Sequence, residues 1–147
     1  MGDHPINCVD WTQADMYCKA QSKRLRTSEE WEWAARGARV GTTFPRGDTE
    51  ASLTQICWAR YGSGDTPAGT CAVGTFPSGD SPRGLEDLQG NVTEWTSSIE
   101  EGSTERITRG GSWADNVTEM VRAGSSSSAG PSTHDHRRGF RCARAGE

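Results

Sequence analysis

Gly84-Leu85-Glu86-Asp87-Leu88-Gln89-Gly90-Asn91-Val92-Thr93-Glu94-Trp95 is the most compact motif in the chain. Asp87 and Glu94, with two of the backbone carbonyls between them, offer four oxygens within eight residues. Calcium takes hard oxygen ligands, typically about 6–8 of them, mixing carboxylates with carbonyls. The motif is therefore read as a candidate calcium site. The alternative is a glycine turn in which Asp87 is solvated and Glu94 bonds backbone amides.

Upstream of this motif, residues 41–83 read as loop. Gly, Pro, Asp and Thr dominate, and apolar residues come singly or in short pieces such as Ile56-Cys57-Trp58. A stretch of about forty such residues is longer than a simple connection and needs pinning by a disulfide, an ion or anchoring Trp side chains. Five cysteines are present, at 8, 18, 57, 71 and 142, with no CxxC and no zinc-finger spacing. Cys57 with Cys71 would close a Gly-rich loop, and Cys18 with Cys142 would tie the first helix to the last strand, leaving Cys8 over. The competing reading is five free thiols in a reducing compartment. The disulfide reading favours an extracytoplasmic location, periplasmic or secreted. The sequons at Asn91 and Asn116 carry little weight outside a secretory pathway.

Two short helices precede the loop. Residues 12–21 form the first, capped by Thr12 or Asp10, with Trp11, Ala14, Tyr17, Cys18 and Gln21 on one face. Thr27 with Glu30 is a capping box that starts the second, Trp31, Ala34 and Ala35 form its apolar stripe, and Gly37 ends it. Strands come last. Residues 105–113 run as a strand into a glycine turn, 120–123 read as a short strand, 125–128 as a polar loop, and 139–144 as a closing strand. Helices first and strands last describe an α+β fold with a small antiparallel sheet.

Composition sharpens this. Leu, Ile, Val and Phe supply only 17 of 147 residues, while Trp numbers six and Gly 18. A disordered chain would pair that aliphatic shortage with high net charge, and here it is only −4. Each Trp buries about 150–250 Å², so the core is expected to lean on Trp. No apolar run approaches the roughly 20 residues of a membrane span. The absence of a sustained basic stripe argues against nucleic-acid binding.

Four stretches together carry a resemblance to the formylglycine-generating-enzyme, or sulfatase-modifying-factor, family. They are His4-Pro5-Ile6-Asn7-Cys8-Val9-Asp10-Trp11 with Tyr17-Cys18; Lys23-Arg24-Leu25-Arg26-Thr27 with Glu30-Trp31-Glu32-Trp33-Ala34-Ala35-Arg36-Gly37; the Gly84–Thr96 motif; and Arg109-Gly110-Gly111-Ser112-Trp113 with Gly139-Phe140-Arg141-Cys142. The resemblance covers residues 1–147 as a single domain and implies a loop-rich, C-type-lectin-like fold. Family members carry several strands upstream of the His-Pro segment that these residues lack. A truncated piece or a short variant is therefore expected, with a sheet edge open to another chain. The resemblance implies a structural calcium at Asp87, Gly90, Val92 and Glu94, and a second near Arg60, Tyr61, Asp65 and Pro67, where Arg60 departs from the pattern. It also makes Trp11, Trp31, Trp33, Trp95 and Trp113 core anchors and leaves Trp58 open.

The same resemblance breaks at the active site. The family's enzymes oxidise a substrate cysteine with copper(I) held by two cysteines, a chemistry that needs soft thiolates. Asp115 and Met120 stand at those two positions, and Thr93 replaces an aromatic residue, although Ser112 is kept. Copper is not expected. His134 and His136 with Asp115 offer an iron-type His/His/carboxylate alternative, and with it an oxidoreductase using another metal. No Gly-x-Ser-x-Gly elbow supports hydrolysis. The leading expectation is a non-catalytic binding or sensor domain. Its protein or peptide partner would sit in a C-terminal variable pocket bearing Trp113, Asn116, Arg122, His134 and His136, and association into an oligomer or a larger parent protein is open.

Overall fold

The computed structural model describes residues 2–37, 41–49, 52–59 and 67–144. Asp10 starts α1 (Trp11–Ala20): its side chain accepts from the Gln13 amide, and the Gln13 side chain returns the bond. Ala14 and Cys18 are its buried residues, and Tyr17 stays exposed. β1 (Lys23–Leu25) leads to Thr27, whose capping box with Glu30 opens α2 (Ser28–Ala35). Gly37 follows α2 with φ +61°, the left-handed turn that glycine makes at a helix end.

β2 (Thr93–Ile99), β3 (Arg106–Arg109), β4 (Ser126–Ala129) and β5 (Arg138–Phe140) form one sheet in the order β4-β3-β2-β5. β2–β3 and β3–β4 are antiparallel. β5 joins β2 in parallel, with Glu94 opposite Gly139. β6 (Cys142–Arg144) pairs with β1 in a separate two-stranded sheet.

Several expectations need correction. The closing strand is two strands in two sheets, broken at Arg141. Residues 120–123 are not a strand: Thr118–Val121 form a 3₁₀-helix, which points Val121 alone into the core. Residues 125–128 are not a loop: Ser126–Ala129 are β4, since backbone pairing to β3 needs no apolar side chains. β2 reaches beyond the quoted motif, and its polar residues gave no strand signal.

The core divides into three clusters, each around one Trp. Trp95 packs with Ala14, Cys18, Leu25 and Ala129; Trp31 with Ala35, Leu88 and Ala123; Trp58 with Ile56 and Val121. All three indoles are at most 1% exposed. Trp58, left open by the sequence, is therefore core. Trp33 is the reverse: it is 55% exposed, because α2 is amphipathic and residue 33 faces away from Trp31. Two indoles also stitch distant segments: Trp11 Nε1 donates to the Thr96 carbonyl at 2.8 Å and Trp95 Nε1 to the Val9 carbonyl at 3.0 Å. Both disulfides are formed, Cys18–Cys142 and Cys57–Cys71, with Cys8 free and exposed.

Candidate functional site

The Gly110-Gly111 turn leads from β3 into Ser112, which is buried. Asp115 closes back on it. Its Oδ2 accepts the Ser112 amide at 2.6 Å and the Ser112 hydroxyl at 2.9 Å, and the Asp115 amide donates to the Ser112 carbonyl at 3.2 Å. An aspartate at this spacing competes well for nearby backbone donors. Met120 is 37% exposed. The space beside the turn, lined by Thr93, Thr108, Gly111, Met120 and Ser126, is about 20 Å³. That holds about one water and no side chain of a peptide. A carboxylate and a thioether do not fit a bis-thiolate copper(I) site.

Of the expected ligand-contacting residues, Trp113, Asn116, His134 and His136 are not in the lining of the cavity that holds Arg122. Trp113 and His136 meet with ring centroids 5.5 Å apart. His134 turns to the Ser132 carbonyl at 3.1 Å, Asn116 is exposed, and Arg122 lines that cavity beside α2. Among the described residues no three His, Cys, Asp or Glu side chains gather to hold a metal, so His134, His136 and Asp115 form no iron-type set.

At the quoted motif, the chain passes through left-handed backbone at Asp87, Gly90 and Asn91, with φ +51°, +70° and +59°. Gly90 is required there, since a Cβ would meet the Cys57 carbonyl at 2.2 Å. Asn91 is a buried hub rather than a glycosylation acceptor. Its side chain accepts from the Cys71 amide at 3.1 Å and donates to the Cys71 carbonyl at 3.2 Å, while its own carbonyl accepts from the Trp113 amide at 2.9 Å. Asp87, Val92, Glu94 and Arg141 line one cavity of about 840 Å³.

The charges there are partly met from within the chain. Glu94 Oε2 accepts from Trp31 Nε1 at 2.7 Å, and Oε1 accepts from Arg141 Nε at 2.6 Å. Arg141 also donates to the carbonyls of Glu86 and Asp87, at 3.0 and 3.1 Å. Asp87 Oδ2 accepts from the Gly74 amide at 2.8 Å. Burial raises the Asp87 carboxyl above its ordinary range, against the lowering effect of the Gly74 amide and Arg141. Its second oxygen takes no hydrogen bond among the described residues. A half-buried carboxylate left short of positive charge fits a cation ligand. Arg141 was the partner missed in the sequence; its place in the Gly-Phe-Arg-Cys run was the available signal. Of the second expected calcium set, Arg60, Tyr61 and Asp65 lie outside the described residues.

Two helices, a small mixed sheet and long pinned loops define a C-type-lectin-like fold of the formylglycine-generating-enzyme type. The chain belongs to the "Sulfatase-modifying factor enzyme 1-like domain" family, which it matches over residues 1–146. It is 34% identical to the bovine (Bos taurus) "Inactive C-alpha-formylglycine-generating enzyme 2", over 96% of this chain and 50% of that protein. It is 32% identical to the mouse (Mus musculus) "Formylglycine-generating enzyme", over 96% of this chain and 44% of that protein. The chain thus spans about half the length of these relatives. The solved structure of Treponema denticola variable protein 1 shares the fold, with a TM-score of 0.77 at 24% identity, over 95% of this chain and 70% of that one.

Proposed function

We propose that this domain is a non-catalytic binding or sensor module built on the formylglycine-generating-enzyme scaffold. The observation that carries it is Asp115. At a position where the resemblance calls for a copper-binding cysteine, its carboxylate is committed to the Ser112 turn. Met120 at the second position and the roughly 20 Å³ space beside it point the same way. The 34% identity to a relative named inactive supports the reading.

A structural calcium would be held by the side chains of Asp87 and Glu94 and the carbonyls of Gly90 and Val92, where it would balance the charge that Arg141 leaves unmet. The two disulfides favour an extracytoplasmic setting, since disulfides persist in oxidising compartments. The test is a copper(I) titration of the disulfide-intact domain carrying Cys8→Ser against a chromogenic copper(I) chelator, run beside an oxidation assay on a cysteine-containing peptide. Sub-stoichiometric uptake and no oxidised peptide are expected. Tight one-to-one copper(I) binding would overturn the proposal.

A further inference from the structure

Helix α2 uses both of its faces. Ser28, Trp31 and Ala35 are buried. Glu29, Glu32, Trp33 and Arg36, spaced i, i+3, i+4 and i+7, form the opposite stripe. They line a cavity of about 780 Å³, with Thr42 and Arg122 on the facing wall. This cavity adjoins the small space beside the Gly110-Gly111 turn, sharing Ser125 with it, and has no lining residue in common with the Asp87–Glu94 cavity.

Most charges in the lining are matched. Glu32 Oε1 accepts from Arg36 Nε at 2.9 Å and Oε2 from Arg109 Nη2 at 3.1 Å. Arg122 pairs with Glu119 at 3.1 Å. Glu29 is different. Its own backbone amide, then the Thr27 hydroxyl, hold its carboxyl below the ordinary range, so it is anionic at neutral pH. The Ser98 hydroxyl donates to its Oε2 at 3.5 Å and the Arg109 charge also reaches it, but no lysine or arginine among the described residues makes an ion-pair contact with it. Beside it stands Trp33, 55% exposed, which already accepts a cation: the Arg83 guanidinium lies 4.3 Å from its ring centroid. A half-exposed indole next to a carboxylate that has no ion-pair contact among the described residues suits a ligand with an alkyl stem and a positive head. The volume falls within the range of about 300–1,000 Å³ typical of ligand sites, larger than one side chain, and leaves room for flanking backbone.

We infer that the α2 cavity binds an arginine or lysine side chain of a peptide partner, with the stem on Trp33 and the charged head at Glu29. This rests on the reading of the domain as a binding module. It names the partner's chemistry and places the contact on α2 rather than at Trp113 and His136.

The test titrates acetyl-Ala-Arg-Ala-amide, and its Lys, Leu and Glu counterparts, into the ¹⁵N-labelled domain while following the Trp33 indole N–H signal. Methylguanidinium measures the head group alone. The Arg and Lys peptides are expected to shift that signal saturably, and the Leu and Glu peptides are not. Glu29→Gln and Trp33→Leu are each expected to weaken the Arg peptide about threefold to tenfold. Both side chains are exposed, so the variants keep the fold. Methylguanidinium is expected to bind more weakly than the Arg peptide. Equal shifts with the Glu peptide, unchanged binding in Glu29→Gln, or methylguanidinium as tight as the peptide would each overturn the inference. Shifts confined to Trp113 and His136 would also overturn it while leaving the binding-module reading standing; the copper(I) titration tests that reading separately.

Discussion

Asp115 and Ser112 form a closed turn in which one carboxylate oxygen accepts both the amide and the hydroxyl of Ser112, at 2.6 and 2.9 Å. The residue at a position where the family resemblance calls for a metal ligand is thus a structural cap. Asp115→Ala is expected to cost about 1 kcal/mol in urea unfolding, the usual loss of a side-chain cap. Asp115→Asn, which keeps an acceptor oxygen, should recover most of it. Equal stability of all three forms would show that the turn does not depend on this side chain.

Asp87 separates a calcium site from an internally neutralised loop. Its carboxyl is raised chiefly by burial, so its ionised form destabilises the domain when no cation is bound. In a chelating buffer, Asp87→Asn is therefore expected to melt at or above the parent temperature, the more so because Asn tolerates the +51° φ there. With excess calcium the order should reverse, since a ligand that binds only the folded state at about 100 times its Kd adds about 2.7 kcal/mol. A parent melting temperature indifferent to calcium would refute the site.

Arg141 and Glu94 form an ion pair whose carboxylate side chain is only 4% exposed. Removing one partner leaves the other buried and unmatched. Arg141→Ala is expected to lose about 3 kcal/mol or more by equilibrium unfolding. The double variant Arg141→Ala/Glu94→Gln should be less damaged than the single one, because it removes the stranded charge as well.

The disulfides close loops of different length, with sequence separations of 124 for Cys18–Cys142 and 14 for Cys57–Cys71. The chain-entropy account expects about 4–5 kcal/mol for the longer loop and about 3 kcal/mol for the shorter. Paired Cys→Ser variants, compared by calorimetry, should rank in that order. The Cys18–Cys142 bridge also lies in the Trp95 cluster, which adds a packing loss.

Glu30 sets part of the acid response. Arg24, then the Thr27 amide, lower its carboxyl from 4.5 to about 2. A depressed carboxylate contributes stability above its unfolded value and loses it as pH falls through its folded value. The Glu30 contribution should therefore be whole above about pH 4.5 and fade towards pH 2. The group is partly solvated, so less than about 1 kcal/mol is at stake. In Glu30→Gln, the fall in stability across that window should be shallower.

Both helices were legible because their caps are local: Asp10 with Gln13, and Thr27 with Glu30, act within one turn. The reliance on Trp was legible from composition, since few other residues here can fill a core. β4 was not, because Ser126 to Ser128 carry no apolar alternation and gain their strand from backbone pairing with β3, about twenty residues away in sequence. The exposure of Trp33 was hidden because a Trp on a helix reads as core until the other face is known to be filled, here by Trp31.

The sequence alone determined the family, the start of the second helix and the lack of two thiolates at the copper positions, since each follows from residue identity at fixed spacing, while the structure chose Asp10 over Thr12 as the cap of the first helix. Tertiary structure decided what those residues do instead. Asp115 caps a turn, Arg141 reaches across 47 positions to neutralise Glu94, and Glu29, with no ion-pair contact among the described residues, stands near a half-exposed indole that Arg83 covers on one side. Charge balance depends on which side chains meet in space, and in a fold held by long loops that pairing is set by distant segments rather than by neighbours in the chain.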